Sequence, residues 1–211
     1  MKHSPVEALP EALLVQIAKR AGARSFPKHA VIVMEEDDTD SLYVLLAGRV
    51  RAYVSAADGR ELEINRMGPG EYFGEVTLDG GPRSASVAAL EDCRCAVVHR
   101  AELNQLLAEF PELAQHMIRK LAHRVRALTE NMRDLALMDV YGRVARLLLD
   151  LAEAVDGKLV IPEKLTQKDI AQRVGCSREM ISRIFSDLAA GGYVSREGST
   201  IVISKKPPAR W

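Results

Sequence analysis

Residues 165–188 read LTQKDIAQRVGCSREMISRIFSDL, and the organisation of the chain can be built outward from them. Thr166 stands three residues before Asp169, the spacing of a capping box with Asp in place of the usual Glu. This predicts a short helix over 167–174, with Ile170, Ala171 and Val174 facing inward. Gly175 falls where a tight turn calls for positive φ. Ser177 is then an N-cap for a second helix over 178–190, whose apolar face is Ile181, Ile184, Phe185 and Leu188. Two short helices, a small inward Ala in the first and a Gly turn between them describe a helix-turn-helix. In such a motif the first residues of the second helix reach base edges in the major groove. Those facing outward here are Arg178, Glu179, Ser182 and Arg183. Arg suits guanine O6 and N7, and Glu suits the cytosine amino group. Any solvated helix carries Arg and Glu, so it is the turn, not the charge, that carries the argument.

Toward the C-terminus, Gly191 and Gly192 break the helix. Residues 193–195 and 200–203 then form a hairpin around Glu197 and Gly198, which makes the module a winged helix-turn-helix. Lys205 and Lys206 fit phosphate contacts or a disordered basic tail. Toward the N-terminus, Asp139 caps an expected helix over 140–155, ended by Asp156 and Gly157. The longest helix is expected over 112–137. Its apolar positions include Leu113 and Met117, then Leu121, Val125, Leu128, Met132 and Leu135, whose alternating steps of four and three form a heptad-like seam. That seam fits packing within its own domain, or pairing with a second copy of the chain. His116 and His123, a heptad apart, are expected on the helix surface. Residues 137–139 are read as a hinge.

Residues 24–99 have a different character. Short β-branched runs at 30–34, 41–46, 48–55, 61–66, 85–89 and 94–99 alternate with Gly, Pro and Asp turn signals. Their spacing predicts an antiparallel roll of jelly-roll type. Short helices are expected on either side of it, over 6–22 and 101–109, the latter stopping before Pro111. The chain is therefore read as α+β, with a sensor domain over 1–110, a dimerisation helix and hinge over 111–138, and a DNA-binding domain over 139–211.

The 211 residues carry 29 Lys+Arg and 29 Asp+Glu, a net charge of zero. From Asp139 onward there are 12 basic and 9 acidic residues, against 17 and 20 before it, so the basic excess lies in the C-terminal part. Three cysteines, Cys93, Cys95 and Cys176, are too few for a disulfide framework and fit a reducing compartment. No stretch approaches the ~20 apolar residues of a membrane span, and no signal peptide is recognised, so a cytoplasmic protein with no membrane partner is expected. Cys93, Cys95 and His99 share a strand face. At ~3.3 Å per residue, however, the His lies ~13 Å beyond Cys95, too far for one zinc, so no metal site is expected. Paired catalytic carboxylates, a Ser-His-Asp signature and a nucleotide-triphosphate loop are all missing, and no enzymatic activity is expected.

A second motif runs Gly70-Glu71-Tyr72-Phe73-Gly74-Glu75, then Pro82-Arg83-Ser84-Ala85-Ser86-Val87. A Gly-rich turn with exposed backbone N–H groups and one Arg makes a phosphate cradle, and a neighbouring carboxylate suits a ribose hydroxyl.

These two motifs, together with Met138-Asp139-Val140-Tyr141-Gly142-Arg143 at the hinge, closely resemble the catabolite activator (Crp/Fnr) family over nearly the whole chain. The resemblance implies base contacts by Arg178, Glu179 and Arg183. Thr166 and Lys168 match positions near the phosphate backbone, and Ser177 and Ser182 complete the DNA-facing set. It implies a homodimer on a two-fold symmetric duplex site with half-sites ~34 Å apart, and RNA polymerase as a partner. In the roll it implies a cyclic nucleotide as effector, cyclic AMP first. Arg83 would pair the phosphate and Glu75 the ribose hydroxyl, Gly74, Ser84 and Ala85 would line the cradle, and Thr129 would approach from the long helix. Two features depart from that pattern. Arg83 follows Glu75 by only eight positions, and Leu128 stands where cyclic-AMP-binding members carry the first of two hydroxyl residues. A roll that keeps the cassette as a structural turn, with Arg83 paired to a carboxylate, remains open. So do a ligand-independent or redox-tuned regulator and a cyclic-nucleotide module acting on a partner protein.

Overall fold

The computed structural model describes residues 8–155, 158–198 and 200–208. The elements of the N-terminal part are α1 (Glu11–Arg20), β1 (Gly22–Phe26), β2 (Val31–Val33), β3 (Leu42–Ala47), β4 (Val50–Ser55), β5 (Glu61–Met67), β6 (Tyr72–Phe73), a 3₁₀ turn (Glu75–Asp79), β7 (Ser86–Ala89), β8 (Cys93–Val98), α2 (Arg100–Glu109) and α3 (Pro111–Leu137). The chain then continues through α4 (Val140–Leu151), β9 (Glu153–Val155), β10 (Lys158–Ile161), α5 (Gln167–Val174), α6 (Arg178–Ala190), β11 (Val194–Glu197) and β12 (Thr200–Ile203). It divides into two compact units. One holds residues 3–55 and 63–126, the other chiefly residues 127–211.

In the first unit two four-stranded sheets, ordered β1-β8-β3-β6 and β2-β7-β4-β5, make the expected roll. Alternation along β3 and β8 decides its layers, because successive side chains point to opposite faces. Tyr43, Leu45, Cys93, Cys95 and Val97 face the second sheet's Val33, Val50 and Val87. Leu42, Val44, Ala96 and Val98 instead meet Leu13 and Ile17 of α1, Leu103 and Leu106 of α2, and Leu113 and Met117 of α3. The central strands are thus buried on both faces. Cys93 and Cys95 are core residues, and burial pushes the Cys95 thiol up to about 12. Among the described residues no cluster of His, Cys, Asp or Glu is placed to hold a metal ion. Among the described residues no helix is long and apolar enough to cross a membrane.

The second unit has a core of its own. Val144 and Leu148 of α4, Ile170, Ala171 and Val174 of α5, and Ile181, Ile184, Phe185 and Leu188 of α6 pack with Ile161, Val194, Ile201 and Ile203 of the sheet β11-β12-β10-β9.

Several expectations change. β1 and the two-residue β6 were not anticipated; GARSF and YF carry too little apolar alternation to announce a strand. α4 ends at Leu151, not at 155, because residues 153–155 form an edge strand on β10. The Asp156 and Gly157 stop signal lies outside the described residues. His116 is buried, not on the surface as expected, while His123 is exposed.

Candidate functional site

The helix-turn-helix is built by local hydrogen bonds that the sequence specifies. Thr166 Oγ1 accepts from the Asp169 amide at 3.1 Å, and Asp169 Oδ2 accepts from the Thr166 amide at 2.8 Å, which completes the capping box of α5. Gly175 ends α5 with φ of 73°, a left-handed conformation that favours glycine. Ser177 Oγ accepts from the Met180 amide at 3.2 Å and starts α6. Arg143 of α4 braces the turn, donating from Nε to the Val174 carbonyl at 3.1 Å and from a terminal nitrogen to the Met138 carbonyl at 2.9 Å.

With the apolar face of α6 in the core, Arg178, Glu179, Ser182 and Arg183 are exposed, as are Thr166, Lys168 and Ser177. The Glu179 carboxyl is held below its usual range by its own backbone N–H, then by the Ser177 hydroxyl and by Arg178 and Arg183. The side chain is exposed on α6, where a carboxylate can accept hydrogen bonds. Cys176, in the turn, is partly buried.

In the roll, Gly74 has φ of 90°, and a Cβ there would lie 2.5 Å from the Arg83 guanidinium. Arg83 is buried and donates to Thr39 Oγ1 at 2.9 Å, to the Gly74 carbonyl at 3.0 Å and to the Ser41 carbonyl at 2.7 Å. Its hydrogen-bond acceptors are thus a hydroxyl and two carbonyls, not the carboxylate that a purely structural turn would use. Its own backbone pairs with the 36–37 loop, Glu36 N donating to Arg83 O and Arg83 N to Asp37 O. Ser84, exposed, and Ala85, half-buried, follow directly and lead into β7. Glu75 starts the 3₁₀ turn and is 1% exposed.

α3 supplies a row of residues that sequence reasoning missed. Arg124 forms an ion pair with Glu75 through Oε1, and Glu75 Oε2 and Arg124 Nε are buried without a hydrogen-bond partner. One turn earlier, Lys120 Nζ donates to the Tyr72 carbonyl at 2.8 Å. Another turn earlier, His116 Nδ1 shares a hydrogen bond with the Tyr72 hydroxyl at 3.1 Å. Their signal was the i, i+4, i+8 spacing, which puts His116, Lys120 and Arg124 on one stripe of the helix. The apolar stripe itself divides. Leu113 and Met117 are buried, whereas Leu121, Val125, Leu128, Met132 and Leu135 are between 36% and 66% exposed. Thr129 is also exposed on α3, in the other compact unit.

Two family models match separate stretches of the chain. Residues 23–110 match the family model of the cyclic nucleotide-binding domain, and residues 142–207 match that of the Crp-like helix-turn-helix domain. The chain is 35% identical over 196 residues to a CRP-like cAMP-activated global transcriptional regulator of Mycobacterium tuberculosis, covering 90% of this chain and 88% of that one. The chain belongs to the Crp family of transcription regulators. A further relative of this regulator is the cAMP-activated global transcriptional regulator Vfr of Pseudomonas aeruginosa, 34% identical, with 85% of this chain and 88% of Vfr covered. Among solved structures it resembles the c-di-GMP responsive global regulator CLP of Xanthomonas campestris, with a TM-score of 0.82, 25% identity, and 93% and 100% of the two chains covered. It also resembles the catabolite activator protein of Thermus thermophilus, with a TM-score of 0.56, 29% identity, and 95% and 93% covered.

Proposed function

We propose that this regulator acts as a cytoplasmic homodimer on a two-fold symmetric DNA site, reads bases with Arg178, Glu179 and Arg183, and is switched by a cyclic nucleotide in the roll. The observation that carries the DNA reading is α6 itself. Its N-terminal turn is capped by Ser177, its apolar face is spent on the core, and its charged side chains point away from that core. Thr166, Lys168, Ser177 and Ser182 then serve the backbone and the groove edge. Pairing along Leu121, Val125, Leu128, Met132 and Leu135 is supported by their exposure on a face with heptad spacing. RNA polymerase is the partner expected of such a regulator.

The effector reading rests on Glu75 and Arg124. The unpartnered Glu75 Oε2 needs a donor and the unpartnered Arg124 Nε needs an acceptor. A sugar hydroxyl supplies both. Arg83, Gly74, Ser84 and Ala85 would hold the phosphate, and Thr129 the base. Cyclic AMP is the first candidate, in keeping with the names of the Mycobacterium and Pseudomonas relatives. Binding would act by population shift, favouring the setting of the 137–139 hinge that presents both recognition helices at half-site spacing. A second reading, without effector, is favoured by the hydrogen bonds that already engage Arg83 and by the Glu75–Arg124 pair.

Gel-shift titration against a half-site library tests the DNA reading. Glu179→Ala is expected to relax base preference and to leave non-specific binding largely intact; unchanged preference overturns it. Calorimetry with cyclic AMP, cyclic GMP and cyclic di-GMP separates the two effector readings, since absence of heat with all three leaves the ligand-independent one.

A further inference from the structure

On α6 one large apolar residue stays exposed while the others pack into the core. Met180 is 40% exposed and is the single large apolar side chain on the solvent side of that helix. The core positions are taken by Ile181, Ile184, Phe185 and Leu188. The hydrophobic pair that commonly brackets a helix N-terminus, one residue before the cap and four after it, falls on Cys176 and Ile181, both associated with the core cluster. The cap uses only the Met180 amide, which donates to Ser177 Oγ. The Met180 side chain is thus partly open to solvent, adjacent in sequence to Glu179 and three residues before Arg183, close enough on the helix surface to neighbour it.

From this we propose that Met180 is a specificity-determining residue that packs on the C5-methyl group of a thymine beside the base pairs read by Glu179 and Arg183. This rests on the DNA-reading function proposed for α6. The major groove offers hydrogen-bond donors and acceptors on every base, and one apolar group, the thymine methyl. A phosphate or sugar edge attracts Lys, Arg or a hydroxyl, none of which a thioether replaces. Methionine also has three rotatable bonds and a polarisable sulfur, so it settles against a methyl group without exact positioning. Arg and Glu beside it specify G·C pairs and carry no information on thymine, so Met180 adds discrimination that they lack.

The test starts from a site selected by the full chain from a randomised duplex library. Each thymine in the half-site is then replaced by deoxyuridine, which removes only the methyl group. Wild-type protein is expected to lose about fourfold in affinity at one position per half-site, the worth of about one buried methyl, and about fifteenfold when both half-sites are changed. Met180→Ala, which keeps a strong helix former at the position, is expected to bind the thymine site more weakly and to be indifferent to that replacement. The proposal is overturned if the selected half-sites hold no thymine next to the Glu179-dependent pair, if no deoxyuridine position weakens wild-type binding, or if Met180→Ala keeps the same sensitivity. Glu179→Ala on the same library keeps the two ideas apart. Relaxed preference with no deoxyuridine effect removes the role of Met180 alone, whereas absence of any wild-type sequence preference removes the DNA-reading function itself.

Discussion

Replacing Lys120 by methionine removes the most unusual charge in the sensor unit. Lys120 is 2% exposed, its Nζ lies 3.7 Å from the centre of the Tyr72 ring, and it donates to the Tyr72 carbonyl. Burial, and then the neighbouring Arg124, lower its pKa from 10.5 to about 8, opposed by Glu75 and Glu71. Between those two values the unfolded chain holds a proton that the folded chain lacks. The stability owed to this group therefore rises with pH across that window, and below pH 8 the buried ammonium weighs against folding. At 1.36 kcal/mol per pKa unit, the folded state should gain about 2 kcal/mol from this group between pH 7 and 9.5. Cys95 and Tyr72, whose pKa values burial raises, act in the opposite sense at alkaline pH, so the raw profile mixes several groups. Comparing wild type with Lys120→Met cancels them. Loss of the Nζ hydrogen bond adds a constant of about 1 kcal/mol, which leaves the slope clean. Urea denaturation followed by far-ultraviolet circular dichroism at pH 7, 8, 9 and 9.5 measures the difference. We expect Lys120→Met to do relatively best at pH 7 and to lose about 2 kcal/mol against wild type by pH 9.5. A difference that stays flat within about 0.5 kcal/mol would refute the reasoning, because it would mean that Lys120 titrates as an ordinary solvated lysine.

Two other perturbations follow from the same geometry. Arg124→Leu leaves the Glu75 carboxylate buried without its ion-pair partner and should destabilise the protein by about 3 kcal/mol; adding Glu75→Gln should restore part of the loss in chemical denaturation. Leu128→Glu combined with Met132→Glu places charges on the exposed α3 seam, and sedimentation velocity should show a monomer that still folds, since neither side chain is buried.

The DNA-reading half was the more legible part of the chain. Thr166, Asp169, Gly175 and Ser177 act through neighbours three or four residues away, so their spacing alone announces both caps and the turn. The roll was legible as a succession of strands and turns, but β1 and β6 were not, because their pairing with β8 and β3 depends on residues tens of positions distant. The end of α4 was missed for a different reason. Helix propensity in 152–155 yields to a short hairpin with β10, whose first residue, Lys158, pairs with Val155.

At the sensor site the residue types were evident and the partners were not. Glu75, Arg83 and Gly74 stand out as a carboxylate, a cation and a glycine in one turn-rich segment, and Gly74 takes a left-handed backbone that favours glycine. That Arg83 turns to Thr39, Ser41 and Gly74 was decided by the path of the loop before β3. That His116, Lys120 and Arg124 are drawn against Tyr72 and Glu75 was decided by the packing of α3 on the roll. The sequence by itself determined the caps, the turn and the order of the elements, because those depend on short-range hydrogen bonds and on periodicity. Only the tertiary structure decided which charges lose their water, because burial is a property of the faces that meet and not of the residues that carry them.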